Sequence, residues 1–196
     1  MSPVDLADQQ EQLQNEANDV LKELKLLEEL KKYGRIHTVG SLSSGLMTWR
    51  DIDIVVIVPK LDRTPIHMLC THFIDLDLAR IDLSVIDFRN DKRSYLPRTL
   101  FLCAKYMHSG AIWRIEIHFA TEEEAPPSIE DVAKLKSQLT PQTRHTILAL
   151  KHELATHHQY RKQIFSIDIY RAVLEHKVRD MLHFKEYLRQ TGRELE

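Results

Sequence analysis

The stretch that decides the fold reads Gly40-Ser41-Leu42-Ser43-Ser44-Gly45-Leu46-Met47-Thr48-Trp49-Arg50-Asp51-Ile52-Asp53-Ile54-Val55-Val56-Ile57-Val58. Its second part is rich in β-branched residues and is apolar at every position after Asp53. Such a run predicts a strand that is buried on both faces, as in the centre of a covered sheet. Because a strand alternates its side chains between faces, Asp51 and Asp53 are expected to point the same way.

The two aspartates predict a cation site. Two like charges this close repel each other, and they are tolerated at the lip of a sheet when a cation lies between them. Oxygen-only ligands suit Mg²⁺, which also binds substrate phosphates. Gly40 permits close backbone approach, Ser41 offers a hydroxyl, and a helix starting near them would direct amides at a phosphate. Asp-X-Asp alone is common, so the prediction depends on its combination with Gly-Ser, nine intervening residues away.

The flanking segments predict an α/β (α+β) fold, with a mixed sheet, an N-terminal helix and a C-terminal helical bundle. Helical periodicity predicts one helix over residues 6–33 and another over 66–79. Strands are predicted over residues 35–39, 51–58, 81–88, 100–107 and 112–119, the last two forming a hairpin around Gly110. After Pro126-Pro127 the pattern is helical, over 129–138, 143–158 and 167–190. We therefore expect an α/β domain over residues 1–125 and a helical region over 126–196.

The overall composition narrows the classes of function. The 196 residues are 43% hydrophobic, which is enough to form a core. The formal net charge of −2 shows no basic excess of the kind that nucleic-acid-coating proteins carry, so a nucleic acid partner is not expected. The polar N-terminal sequence does not resemble a signal peptide, and no apolar run reaches the roughly 20 residues that span a membrane. These features predict a cytoplasmic protein with no membrane contact.

Gly40-Ser41, followed nine residues later by Asp51-Ile52-Asp53-Ile54-Val55-Val56, resembles the signature of the DNA polymerase β-type nucleotidyltransferase superfamily. The resemblance covers about residues 36–119, and the superfamily includes small aminoglycoside and lincosamide nucleotidyltransferases. It implies that two Mg²⁺ ions, held by three carboxylates, bind a nucleoside triphosphate while a substrate hydroxyl attacks the α-phosphorus and pyrophosphate leaves. By resemblance, Asp51 and Asp53 are catalytic metal ligands, and Gly40 and Ser41 contact the triphosphate.

The resemblance also implies a third carboxylate, for which two residues compete. Minimal members place it on the strand after the helix, which favours Asp82. Members of the lincosamide type insert a hairpin first and place it on the far strand, which favours Glu116. The well-marked hairpin and the polar middle of residues 112–119 lead us to expect Glu116 as the third catalytic and metal-binding residue. The alternative for Glu116 is a cross-strand ion pair with a neighbouring basic residue.

Lys151 interrupts an apolar helical stripe formed by Ile147, Leu148, Leu154 and Ala155. A lysine there must extend to solvent or meet an anion. Some small members of the superfamily hold phosphates with a lysine on a C-terminal helix, so we expect Lys151 to face the cleft and bind nucleotide. The alternative is a lysine at the edge of the stripe.

These inferences predict transfer of AMP from ATP to a hydroxyl of a small-molecule acceptor. Two alternatives remain. One is an antitoxin-type enzyme that modifies a protein partner. The other is a catalytically inactive nucleotide-binding module of the same fold, against which the intact aspartate pair argues.

Overall fold

A five-stranded mixed sheet lies at the centre of the computed structural model, which describes residues 3–76, 78, 80–90 and 98–195. The strands are β1 (Arg35–Val39), β2 (Asp51–Ile57), β3 (Ile81–Asp87), β4 (Leu100–His108) and β5 (Ala111–Ala120). Their order is β1-β2-β5-β4-β3, with β2 and β5 parallel and every other neighbouring pair antiparallel. Each lies within one residue of its predicted ends.

Helices precede the sheet, connect its strands and follow it. They are α1 (Pro3–Glu23), α2 (Leu26–Lys31), α3 (Gly40–Ser44), α4 (Thr64–Asp75), α5 (Ser128–Gln138), α6 (Pro141–Leu154), α7 (Ser166–Leu174) and α8 (Met181–Gln190). This arrangement confirms the predicted α/β fold with a leading helix and C-terminal helices. None of the helices within the described ranges is long and apolar enough to cross a membrane.

Two of the predicted helices are each divided in the structure. The leading helix breaks at Lys25, which adopts a left-handed conformation with φ 47°. The helix predicted over residues 167–190 breaks after Leu174, Lys177 has φ 59°, and Asp180 caps α8 by accepting a hydrogen bond from the His183 amide at 2.9 Å. Periodicity missed both breaks because apolar residues on either side keep helical spacing. The helix predicted over 66–79 ends at Asp75, and its expected last residue, Ala79, lies outside the described residues.

The sheet has one apolar face and one mixed face. Alternate residues of β2 and β5 pack with α1, α2 and α4 in the main core, namely Ile52, Ile54, Val56, Ile115, Ile117 and Phe119. The side chains between them, including both aspartates, therefore belong to the opposite face. Helix α5 covers part of that face through Ile129 and Val132, beside Val55 and Ile57.

The C-terminal helices form a second apolar cluster and also hold the segment that precedes β2. Leu46 of that segment is fully buried among residues of α6, α7 and α8. Arg144 of α6 donates hydrogen bonds to the carbonyl oxygens of Ser44, at 3.2 Å, and Gly45, at 2.5 Å. The segment from Gly40 to Asp51 is thus positioned by the C-terminal helices. The division of the chain at residue 125 stays a prediction.

Candidate active site

Asp51 and Asp53 open the central strand β2 and point into one cavity. The parallel register places Asp53 beside Glu116 of β5 and Asp51 beside Arg114. We name this space the aspartate cavity. Its volume is about 480 Å³, and its lining includes Gly40, Ser41, Asp51, Asp53 and Lys151. The alternation of β2 therefore brings both carboxylates to the same open face, as the sequence pattern predicted.

Burial and mutual repulsion make these carboxylates unusual. The pKa of Asp53 is raised to about 8 by burial and by the charges of Asp51 and Glu116. The pKa of Asp51 is raised by burial and by the charge of Glu116. Oδ1 of Asp51 is buried with no hydrogen-bond partner, whereas Oδ2 accepts a hydrogen bond from Arg161 at 3.0 Å. An unpartnered carboxylate oxygen beside a second, partly buried carboxylate fits a cation, because a cation would relieve both the repulsion and the missing contact.

Gly40 brings the backbone against the aspartates. Its φ is +63°, and a Cβ atom built on it would lie 2.1 Å from Oδ2 of Asp53. No side chain fits there, and left-handed backbone favours glycine. Helix α3 begins at this residue, and Ser41 is buried within it. The Gly-Ser segment and the aspartate pair are therefore in direct contact, although they are separated in sequence.

Lys151 of α6 lies in the same cavity and is fully buried. Its Nζ donates a hydrogen bond to the Leu46 carbonyl at 2.5 Å and lies 4.6 Å from the ring centre of Trp49. Burial lowers the pKa of Lys151 to about 7, and the charges of Asp53 and Asp51 act in the opposite direction. The side chain does not extend to solvent. Its role towards nucleotide stays a prediction.

The two candidates for the third carboxylate lie in different places. Glu116 is next to Asp53 on β5, and its side chain forms an ion pair with Arg114. Asp82 lies on the edge strand β3, where its half-exposed side chain pairs with Arg80 at 3.2 Å. Within the described part of the chain, no three His, Cys, Asp or Glu side chains form a group that could hold a metal ion. Glu116 would have to leave Arg114 to join the aspartates, but its position favours it over Asp82.

Solved structures that resemble this chain are nucleotidyltransferases. The Cid1 poly(U) polymerase, with Mg and 3′-dATP bound, matches with a TM-score of 0.57 and 17% identity over 82% of this chain and 48% of that one. The polymerase core of TRAMP, an RNA surveillance complex, matches with a TM-score of 0.54 and 17% identity over 92% and 58%. Terminal uridylyl transferase 4 from Trypanosoma brucei, with bound UTP and UpU, matches at 0.53 and 12% identity over 98% and 59%.

The chain has a nucleotidyltransferase fold. It spans about half the length of the solved structures that it matches. No family model matches the sequence, and no curated protein matches it. At these identities the likeness establishes the fold.

The fold brings further residues to the site that the sequence analysis did not predict as site residues. Trp49 lines the aspartate cavity and contacts two of the cavity's cations, Lys151 and Arg161, the latter at 5.3 Å from its ring centre. Its ring also packs against that of Tyr160, with 5.4 Å between ring centres. Tyr170 of α7 lines the aspartate cavity as well. No periodicity singles out these residues, because Trp49 and Arg161 lie in irregular segments that only the fold brings together.

A second cavity continues the site between α5 and α7. We name it the α5–α7 cavity. Its volume is about 370 Å³, and it shares Gly40, Ile167 and Tyr170 with the aspartate cavity. Its walls include Val132, Leu135 and Leu174. The two cavities together form a cleft that is charged at the aspartates and more apolar between the helices.

Proposed function

We propose that this chain is a Mg²⁺-dependent nucleotidyltransferase. It transfers a nucleoside monophosphate from a nucleoside triphosphate to a hydroxyl group, and pyrophosphate leaves. The observation that carries the proposal is the pair formed by the buried Asp51 and the partly buried Asp53, which has raised pKa values and lies against the left-handed Gly40. The Mg²⁺, 3′-dATP and UTP named for the structurally similar proteins support it.

The metal ligands would be Asp51, Asp53 and Glu116, holding two Mg²⁺ ions. When bound, these ions neutralise phosphate charge and make the attacking hydroxyl more acidic. The residues fit this role because one Asp51 oxygen lacks a partner and because all the donors are carboxylate oxygens, which Mg²⁺ prefers.

The other residues of the cleft would bind and orient the nucleotide. Gly40 and Ser41 offer backbone amides and a hydroxyl to the phosphates, and Lys151 supplies a positive charge in the same cavity. A phosphate near Lys151 would hold its ammonium group in the charged state. The α5–α7 cavity, which is lined by apolar side chains such as Leu135 and Leu174 and by charged ones such as Asp131 and Arg171, offers space for the nucleoside. Glu116 can accept the proton of the acceptor hydroxyl when its carboxylate is not saturated by metal.

A polynucleotide 3′ end is the acceptor that we propose first. The near-neutral net charge predicted a small molecule, but one of the similar solved structures is the polymerase core of an RNA surveillance complex and another is a terminal uridylyl transferase with bound UpU. On this chain, Lys105 of β4 lies opposite Arg114 of β5 in the register of the sheet. Arg114 in turn lies opposite Asp51 of β2. Cross-strand partners share a face, so two cationic residues lie in a row beside the aspartates on the mixed face. A local row of this kind can bind phosphates whatever the net charge of the protein.

The test is nucleotide incorporation into a short single-stranded RNA with a free 3′ hydroxyl. The full chain is incubated with Mg²⁺ and each α-labelled ribonucleoside triphosphate in turn, because the choice between ATP and UTP is open. We expect the RNA to lengthen, whereas an RNA with a blocked 3′ end and the variant Asp53→Asn give no product. Failure to bind any triphosphate in the presence of Mg²⁺ would contradict the proposal.

The same reactions separate the remaining alternatives. Label that appears in small metabolites supplied from a cell extract indicates the small-molecule acceptor. Label on a protein indicates the antitoxin-type enzyme. Nucleotide binding without transfer to any acceptor indicates an inactive binding module.

A further inference from the structure

Arg161 occupies part of the aspartate cavity. Its Nη2 donates a hydrogen bond to Oδ2 of Asp51 at 3.0 Å, and its guanidinium carbon lies 5.3 Å from the ring centre of Trp49. The side chain remains 44% exposed, whereas that of Asp51 is only 11% exposed. A partly exposed arginine is thus hydrogen-bonded to one carboxylate oxygen of Asp51, and the other oxygen has no hydrogen-bond partner.

The turn that carries Arg161 is tightly built. Arg161 has φ 64°, a left-handed conformation that is unfavourable for a residue with a Cβ atom. Its amide donates to the Ile164 carbonyl at 2.7 Å, and the Gln159 carbonyl accepts from the Gln163 amide at 2.9 Å. Tyr160 is buried, and its hydroxyl is hydrogen-bonded to the Ser166 hydroxyl at 2.9 Å. The backbone is therefore fixed close to Asp51, and the long arginine side chain is the part that can move.

Two other cations line the aspartate cavity within the described residues, and each is engaged elsewhere. Lys151 is fully buried and hydrogen-bonded to the Leu46 carbonyl. Arg114 forms its ion pair with Glu116. Of these cations, Arg161 is the one whose hydrogen bond goes to an aspartate of the pair.

We propose that Arg161 is an exchangeable counter-ion, which neutralises Asp51 in the metal-free protein and binds the phosphates of the nucleotide when a cation takes its place. This inference rests on the proposed function. A cation bound through the free Oδ1 of Asp51 would share one carboxylate with the guanidinium on Oδ2 and would repel it, so a cation that binds alone disfavours the pair with Arg161. With nucleotide present, the displaced guanidinium gains an anionic partner in the same cavity, and its planar donors match a phosphate.

If Arg161 exchanges in this way, removing its guanidinium changes the affinity for a cation and the affinity for a nucleotide in opposite directions. Removing the guanidinium frees Asp51 and should tighten binding of a divalent cation alone. It should also weaken binding of a nucleotide in saturating cation, because one phosphate ligand is lost. An arginine that only supports the fold would not move the two affinities in opposite directions.

The experiment compares the full-length parent with Arg161→Asn. Asparagine removes the charge but tolerates the left-handed conformation, so the turn should persist. Mn²⁺ binding without nucleotide is measured by electron paramagnetic resonance, and ATP and UTP binding in saturating Mn²⁺ by calorimetry. We expect Mn²⁺ to bind about tenfold tighter and nucleotide about tenfold weaker, since one charge a few ångströms from the ligand changes each affinity by this order.

Three further variants serve as checks. Lys162→Asn removes one positive charge from the exposed neighbouring position of the same turn, and both affinities should match the parent. Arg161→Lys keeps a charge without the planar donors and should give intermediate values. Arg161→Gln must reproduce both shifts of Arg161→Asn, which excludes an effect of the asparagine on the backbone.

The outcomes separate this inference from the function on which it rests. If the parent binds Mn²⁺ and nucleotide but Arg161→Asn leaves either affinity unchanged, or shifts both in the same direction, the counter-ion role is wrong and the proposed function stands. If the parent binds neither Mn²⁺ nor nucleotide, the proposed function is wrong, and so is the inference that rests on it.

Discussion

At the scale of single residues, Asp53 combines the features that a metal ligand needs. It is partly buried, it neighbours Asp51 and Glu116, and its Oδ2 lies directly against the backbone of Gly40. We predict that Asp53→Asn weakens cation-dependent nucleotide binding by about a hundredfold or more. The melting temperature of the metal-free variant should equal or exceed that of the parent, because folded Asp53 must either take up a proton or bear a repelled charge, whereas asparagine does neither. Calorimetry and thermal unfolding measure the two effects, and unchanged nucleotide affinity would remove Asp53 from the site.

The raised pKa of Asp53 also predicts a pH dependence. The folded protein keeps this proton up to about pH 8, whereas the unfolded chain releases it near an ordinary pKa of about 3.9. Between these values the folded state binds more protons, so the contribution of Asp53 to the free energy of unfolding falls as the pH rises. Saturating Mg²⁺ should reverse this trend, since the ion binds the ionised carboxylate.

Urea unfolding of the parent and Asp53→Asn over this pH range provides the measurement. The difference between the two proteins is the informative quantity. Burial lowers the pKa of His118 to about 4, which by itself makes stability rise with pH up to the ordinary value of about 6.5. If the difference does not change between about pH 4 and 8, the carboxyl group of Asp53 is not perturbed as proposed.

At the scale of elements, the turn into α3 predicts a contrast between two glycines. Gly40 and Gly110 both have left-handed backbone, with φ +63° and +78°. A Cβ atom on Gly40 would collide with Oδ2 of Asp53, whereas one on Gly110 would meet nothing within 4 Å. Gly110→Ala should cost only the conformational penalty, about 1 kcal/mol. Gly40→Ala should cost clearly more, about 3 kcal/mol, because the carboxylate or the backbone must move. Equal losses in chemical denaturation would show that α3 moves freely away from β2.

The strands were easier to predict than the helices for a physical reason. Alternation in β2 and β5 repeats every second residue, and the main core enforces it by burying Ile52, Ile54, Ile115 and Ile117. Helical spacing is less restrictive. Two short helices can keep the same apolar spacing across a break, as they do on either side of Lys25. That break depends on a single left-handed residue, for which a lysine gives no local signal.

At the scale of the whole molecule, Arg144 links the C-terminal helices to the segment that supports the aspartates. It donates to the carbonyl oxygens of Ser44 and Gly45 from a partly buried position. We predict that Arg144→Met lowers the free energy of unfolding by about 1–3 kcal/mol, since two carbonyl groups lose a charged donor. The control Arg189→Met removes an exposed pair with Glu186 and should cost little. If the denaturation curves of the two variants coincide, Arg144 does not link the C-terminal helices to this segment.

The sequence alone determined the strand pattern of this protein, its α/β class and the placement of Asp51 and Asp53 on one face. These features follow from local rules, namely the two-residue period of a strand and the alternation of apolar with acidic side chains. It also placed Gly40 and Ser41 before that strand as partners of the aspartates. It favoured Glu116 over Asp82 as the third carboxylate, but only strand order determines which of them neighbours Asp53.

Tertiary structure decided the rest. The order β1-β2-β5-β4-β3 brings Glu116 next to Asp53 and leaves Asp82 on the edge strand β3. Packing of α6 buries Lys151 against Trp49, and the turn before α7 places Arg161 on Asp51. Arg161 and Asp51 are 110 positions apart. Their contact depends on the whole arrangement of helices against the sheet, which no local pattern in the sequence encodes.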